Sequence, residues 1–200
     1  SGRSGVTDYT CDLKSGYDIH NEQWPAYLHK ILPLKKEWLP EVVPAGTPVG
    51  SLADDIAEAF GLPSAQVVAG MTDGCASQIA AGAVLPGDWN TTIGTTLVIK
   101  GVTHKPVEDP RERLYNHRHP MGYWLPGGAS NTGADWITRG FSEDLDSLSK
   151  QAQTLAPTGY LSYPLCRQGE RFPFVAPEAE GFQPAELSRP KRFTANLEGV

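Results

Sequence analysis

The stretch Gln66-Val67-Val68-Ala69-Gly70-Met71-Thr72-Asp73-Gly74-Cys75-Ala76-Ser77-Gln78-Ile79-Ala80-Ala81-Gly82-Ala83 decides the fold class. Residues 66–70 read as a short buried strand, and 74–83 as a helix of small residues able to pack closely against a sheet. Strand, sharp turn and helix in that order predict an α/β architecture.

Upstream, Ser51 to Gly61 predicts another helix. Ser51 is the expected N-cap, Leu52, Ile56, Ala59 and Phe60 form an apolar stripe, and Gly61-Leu62-Pro63 stops it. Residues 1–48 are broken by Pro and Gly around Tyr17, Trp24, Tyr27 and Trp38, which suits short helices and loops better than a regular array. Downstream, Pro86-Gly87-Asp88 interrupts the pattern and is the candidate boundary between a domain over 1–86 and another over 87–200. Strands are expected around Gly94 within 89–102, and again at 114–119 and 122–125. Gly127-Gly128 then predicts a turn into a helix beginning at Ser130 or Asn131. A further helix is expected from Ser142 to Leu155, with Ser142 as cap and Asp144 in its first turn, and irregular chain beyond Pro157.

Composition narrows the function classes. Of 200 residues, 40% are hydrophobic, with five Trp and seven Tyr, enough for a buried core. The formal net charge is −6 with scattered Lys and Arg, which gives no reason to expect nucleic acid or an anionic membrane as partner. Cys11, Cys75 and Cys166 are odd in number and widely spaced, as expected of reduced thiols in the cytoplasm. No apolar run approaches the ~20 residues that span a bilayer. Ser1 to Gly5 lacks the apolar centre of a signal peptide and an initiator Met, and reads as a cut end.

Three segments could carry chemistry, each with an ordinary alternative. Asp73 between strand and helix either caps the helix or lies at the sheet edge where α/β proteins bind ligands. Thr92-Ile93-Gly94-Thr95-Thr96 is a bend between strands or a phosphate-facing turn, Gly94 allowing close backbone approach; it is too short for a Walker loop. Pro126 to Gly133 is a turn with a Ser or Asn cap, or a helix start receiving a nucleotide. His117 and His119 alternate on one strand face as a zinc pair would, without an obvious third ligand. Cys75 reads as a small buried residue.

In order and spelling, Gly70 to Ser77, Ile93 to Lys100, Gly127 to Gly133 and Gly169-Glu170-Arg171-Phe172-Pro173-Phe174, with Ser15 to Asp18 earlier, resemble the FGGY family of carbohydrate kinases. The similarity runs through nearly the whole chain. Within the family it is nearest the D-ribulose and D-xylulose kinases. The resemblance implies an actin-like ATPase (ribonuclease H-like) two-domain fold, of which this is an internal fragment spanning the domain junction. Residues 1–86 would be the end of the sugar-binding domain, and 87–200 the start of the nucleotide-binding domain. It implies phosphorylation of a ketopentose by Mg2+-ATP, with Asp73 as general base and Gly74 beside the sugar. Gly94, Thr95 and Thr96 would face phosphate, and Gly128, Asn131 and Thr132 the nucleotide. The fragment alone would lack a complete active site, and a homodimer is left open. Two other readings remain: a silent family member acting as sugar sensor or scaffold, and a metal-dependent hydrolase using Asp73, His117 and His119.

Overall fold

A computed structural model describes residues 1–200, and its chain falls into two compact units. The first comprises Ser1–Asp88, Gly101–Pro106 and Asn116–Pro126; the second comprises Trp89–Lys100, Val107–Tyr115 and Gly127–Val200. Helices and strands are mixed: they are interspersed up to Ala80, and beyond it a run of strands precedes a run of helices. No helix is long and apolar enough to cross a membrane.

In the first unit, β1 (Val6–Asp8) leads directly into α1 (Tyr9–Asp12), capped by Asp8. After α2 (Tyr27–Lys30), β2 (Glu41–Val43) pairs in parallel with β1, Thr7 opposite Val42. That pairing is regular structure where local sequence favoured loops, because parallel partners lie far apart along the chain. Tyr17, Ile19 and Trp124 form a buried cluster joined by Trp24 and Val42. Arg118 stacks on Trp124, its guanidinium 4.4 Å from the ring centre.

Ser51 does not cap a helix. It ends β3 (Pro48–Ser51), opposite Gln66 of the antiparallel strand β4 (Gln66–Val68). The helix α3 (Asp54–Phe60) begins after Ala53, with Asp54 and Asp55 at its positive pole. It stops where expected: Gly61 adopts the left-handed conformation, and its N–H reaches Ala57 and Glu58 carbonyls. The apolar stripe faces outward, with Ile56 42% and Phe60 72% exposed. β4 is also shorter and less buried than expected, since a two-stranded ladder covers neither face; Val68 stays half-exposed. The next helix, α4, spans Asp73–Ala80.

The strands β5 (Trp89–Ile93), β6 (Leu97–Gly101), β7 (Tyr115–Arg118) and β8 (Trp124–Ser130) form one sheet in the order β5-β6-β8-β7. Antiparallel pairing sets Leu97 opposite Ser130 and Lys100 opposite Gly127. Gly127 and Gly128 are therefore strand residues, not a turn, and the following helix α5 (Asp135–Gly140) starts later than expected. The cause is close packing. A Cβ on Gly127 would lie 2.8 Å from the Ile99 carbonyl, and one on Gly128 2.3 Å from the Phe172 ring.

In the second unit, α6 (Leu145–Leu155) begins after Asp144, which is left-handed at φ 64°, and not at Ser142. It packs against α7 (Arg189–Glu198), a helix within the stretch expected to be irregular. Trp136, Phe141 and Phe193 meet edge to face, with ring centres 5.4 to 5.5 Å apart, and with Leu148 and Ala152 they make this unit's core.

Candidate active site

Asp73 opens α4, after Thr72 in extended conformation. Its carboxylate is exposed and accepts a 2.6 Å hydrogen bond from the Gly74 N–H. Asp73 is thus the first helical residue, with Thr72 in the cap position. The helix beneath is firmly seated. Cys75 is fully buried with Val102 and Leu125, as its reading as a small buried residue requires, and Gln78 donates to the Gly101 carbonyl at 3.3 Å.

The backbone just before Asp73 is anchored by a short relay. The Thr72 N–H donates to Thr10 Oγ1 at 2.8 Å, and that hydroxyl donates to Asp8 Oδ1 at 2.6 Å. Asp8 also accepts the Thr10 N–H at 2.7 Å and is buried. A hydroxyl can accept one bond while donating another, so Thr10 links a buried carboxylate to a main-chain amide. Asp8 and Thr10 were not singled out from sequence. The local signal, Asp-x-Thr ahead of a helix, reads as no more than a cap.

The second unit holds the remaining candidates. Gly94, Thr95 and Thr96 turn the chain between β5 and β6, with the Gly94 N–H bonded to the Thr96 carbonyl at 3.0 Å. The Gly94 carbonyl accepts from the Ala134 N–H at 2.7 Å. Gly133 lies directly against the turn: a Cβ there would be 2.6 to 2.7 Å from Thr96 C and from the Gly94 and Thr95 carbonyl oxygens. Thr95 is exposed.

Glu170, buried to 4% exposure, organises the loop after β8. One carboxylate oxygen accepts from Ser130 Oγ, Tyr163 Oη and Thr132 Oγ1 at 2.8, 2.8 and 3.1 Å. The other accepts the Asn131 and Arg171 N–H groups at 2.7 and 2.8 Å. Burial alone would raise its pKa, but these bonds, led by the Asn131 and Arg171 amides, outweigh it and bring it down to about 2. The Asn131 side-chain amide donates to the Gly169 carbonyl at 2.9 Å. The Asn131 backbone amide and the Thr132 hydroxyl therefore hold the loop to Glu170, the Asn131 side chain holds it to Gly169, and Gly128 makes room for Phe172. Within Gly169 to Phe174 nothing local distinguishes Glu170 from a surface acid.

The histidine pair does not form a metal centre. His119 is buried, which lowers its pKa, and its Nδ1 accepts the Met121 N–H at 3.1 Å. No three His, Cys, Asp or Glu side chains come together as metal ligands.

No family model matches the chain. It is 28% identical over 217 residues to a gluconokinase of Bacillus subtilis (strain 168), covering 98% of this chain and 42% of that protein. It is 26% identical over 201 residues to a xylulose kinase of Klebsiella pneumoniae, covering 92% and 40%. Among solved structures, it resembles a ligand-bound xylulose kinase and a gluconate kinase from Lactobacillus acidophilus. Identities are 25% and 26%, TM-score is 0.73 for both, and each match covers 97% of this chain and 42% of the other. Its homologues are thus carbohydrate kinases of the FGGY type, and its fold matches theirs over the shared region. The chain spans about two-fifths of their length. Gluconokinases stand beside xylulose kinases, so the likeness does not single out a ketopentose.

Proposed function

We propose that this chain is part of an ATP-dependent kinase that phosphorylates a sugar hydroxyl, with Asp73 as general base. The observation that carries this reading is an exposed carboxylate at the head of α4, on backbone held by Thr72, Thr10 and Asp8. Homology along nearly the whole chain to carbohydrate kinases supports it. In the same reading, the first unit provides the sugar side, with Gly74 offering only backbone. The second provides the nucleotide side, and the enzyme works in the cytoplasm.

Phosphoryl transfer through a loose transition state depends on alignment and charge stabilisation more than on covalent help from the protein. Asp73 orients the attacking hydroxyl and accepts its proton as the bond to phosphorus forms. Thr95 and the backbone of the 94–96 turn meet the phosphates. Gly128, Asn131 and Thr132 act by shaping the neighbouring loop. The donor set here, hydroxyls and amides, fits phosphate oxygens better than a bare cation. Mg2+ would supply charge neutralisation while carried on the ATP phosphates.

Asp73→Asn in the full-length enzyme should lower kcat by about 10²–10⁴-fold while sugar KM stays within a few-fold. Near-normal turnover would remove Asp73 from the mechanism. Substrate class is tested by ADP release with D-ribulose, D-xylulose, pentitols and gluconate. We place a ketopentose first, and preferential turnover of gluconate would reassign it. Sugar binding without ADP release from any of them would favour a sensor.

A further inference from the structure

The bonds around Glu170 lead in one direction. Residues 129–132 are tied to the 169–171 segment at every step. The Arg171 Nε–H donates to the Ala129 carbonyl at 2.8 Å, and the Ser130 and Thr132 hydroxyls donate to the Glu170 carboxylate. Asn131 gives its main-chain N–H to Glu170 and its side-chain amide to the Gly169 carbonyl. The Thr132 N–H turns back onto Ser130 Oγ at 3.0 Å. The next two residues meet the 94–96 turn: Gly133 lies against its backbone, and the Ala134 N–H donates to the Gly94 carbonyl at 2.7 Å. Leu97, which follows that turn, pairs with Ser130 in the ladder of β6 and β8. Glu170 therefore reaches the turn by two routes, through Gly133 and Ala134 and through Ser130 and Leu97, and both lie inside the second unit.

The kind of donor is equally informative. Hydroxyls and main-chain amides satisfy this carboxylate, and Arg171 gives it only a backbone N–H. A buried charge held without a counter-charge is an inefficient way to stabilise a fold, because desolvation offsets much of what its bonds contribute. Directional bonds to a fixed acceptor are, however, an effective way to set position. The amides of Asn131 and Arg171 cannot rotate, so one carboxylate oxygen fixes the two segments relative to each other.

We propose that Glu170 is a positioning residue for the nucleotide: through residues 130–132 it holds Gly133 and Ala134 against the 94–96 turn, and so sets how tightly that turn binds the ATP phosphates. This role, which rests on reading 94–96 as the phosphate turn, belongs to a side chain that touches neither substrate.

The test is steady-state kinetics of the full-length enzyme on the sugar it turns over, with each KM measured separately. Glu170→Ala should raise KM for ATP about tenfold and leave kcat and sugar KM within about twofold. Glu170→Gln should rescue most of this. Its carbonyl oxygen can serve the rigid amides while the hydroxyls of Ser130, Thr132 and Tyr163 rotate to accept from its NH2, so a rise of about two- to threefold is expected. Leu148→Ala, in the core formed with Trp136 and Phe193, is the control for mere loss of stability. It should lower the denaturant midpoint comparably and leave ATP KM within about twofold. Should Glu170→Ala not fold, Thr132→Val and Glu170→Gln each weaken part of the same set and should raise ATP KM about two- to threefold. An ATP KM unmoved by the Glu170 and Thr132 variants, an equal rise in sugar KM, or an equal rise in Leu148→Ala overturns the role. A wild-type enzyme that phosphorylates sugar while showing any of these outcomes removes the role of Glu170 alone. A wild-type enzyme with no ATP-dependent turnover removes the kinase reading and this role together.

Discussion

The two units hold their candidate segments in opposite ways. In the first, the side chain proposed to act is exposed, bonded to the adjoining Gly74 amide, and the backbone behind it is fixed, Thr72 being tied through Thr10 to buried Asp8. In the second, Asn131 and Thr132 are themselves bonded into the scaffold through Glu170 and Gly169, and the neighbouring turn presents backbone and Thr95. The difference suits the chemistry proposed for each. A proton acceptor needs a carboxylate open to its substrate at a fixed position, whereas a phosphate seat needs amides that do not move.

Mutations should separate the two arrangements. The Asp73→Asn exchange described above has the largest effect on turnover, and should leave unfolding free energy within about 0.5 kcal/mol because the side chain is exposed. Glu170→Ala should do the reverse, costing about 3 kcal/mol or more in denaturant unfolding by stranding several buried donors. The same carboxylate gives a pH signature. Its folded pKa of about 2 lies below its ordinary 4.5, so its stabilisation is present above 4.5 and is lost as pH falls toward 2. Glu170→Gln should flatten that part of the stability profile; an unchanged slope would remove Glu170 as its source.

Gly133→Ala forces a Cβ into backbone and should cost about 1–3 kcal/mol, raising KM for ATP more than for sugar. Equal effects on both substrates would break the link between this contact and the phosphate turn. Thr10→Val removes the acceptor for the Thr72 N–H and should lower kcat about tenfold with ATP KM unchanged. The smallest effect is expected from Thr95→Val, a rise of about 2–10-fold in KM for ATP. An unchanged nucleotide KM would count against that residue.

The parts legible in the sequence are those whose cause is local. Strand, turn and helix over 66–80 follow from Val-rich and small-residue runs on either side of Met71 to Asp73, and β5 and β6 from Thr, Val and Ile around Gly94. Gly61 ends α3 by a conformation that glycine adopts without strain. The misread parts have distant causes. Paired glycines at 127 and 128 look like a turn until Phe172 and Ile99 are brought against them. Ser51 looks like a cap until Gln66 claims it for a ladder. Glu170 and Asp8 acquire significance only from partners that folding delivers. By contrast, the start of α7 has a local cause, since Ser188 and Pro190 spell a helix start.

The contact between Gly133 and the 94–96 turn has a consequence for recombining such proteins. Two loops touching backbone to backbone, with no side chain between them to adjust, behave as a matched pair of castings. A chimera that takes residues 93–96 from one relative and 131–134 from another inherits surfaces shaped against different counterparts. Swaps that carry both segments together should give active hybrids more often than swaps that carry either alone.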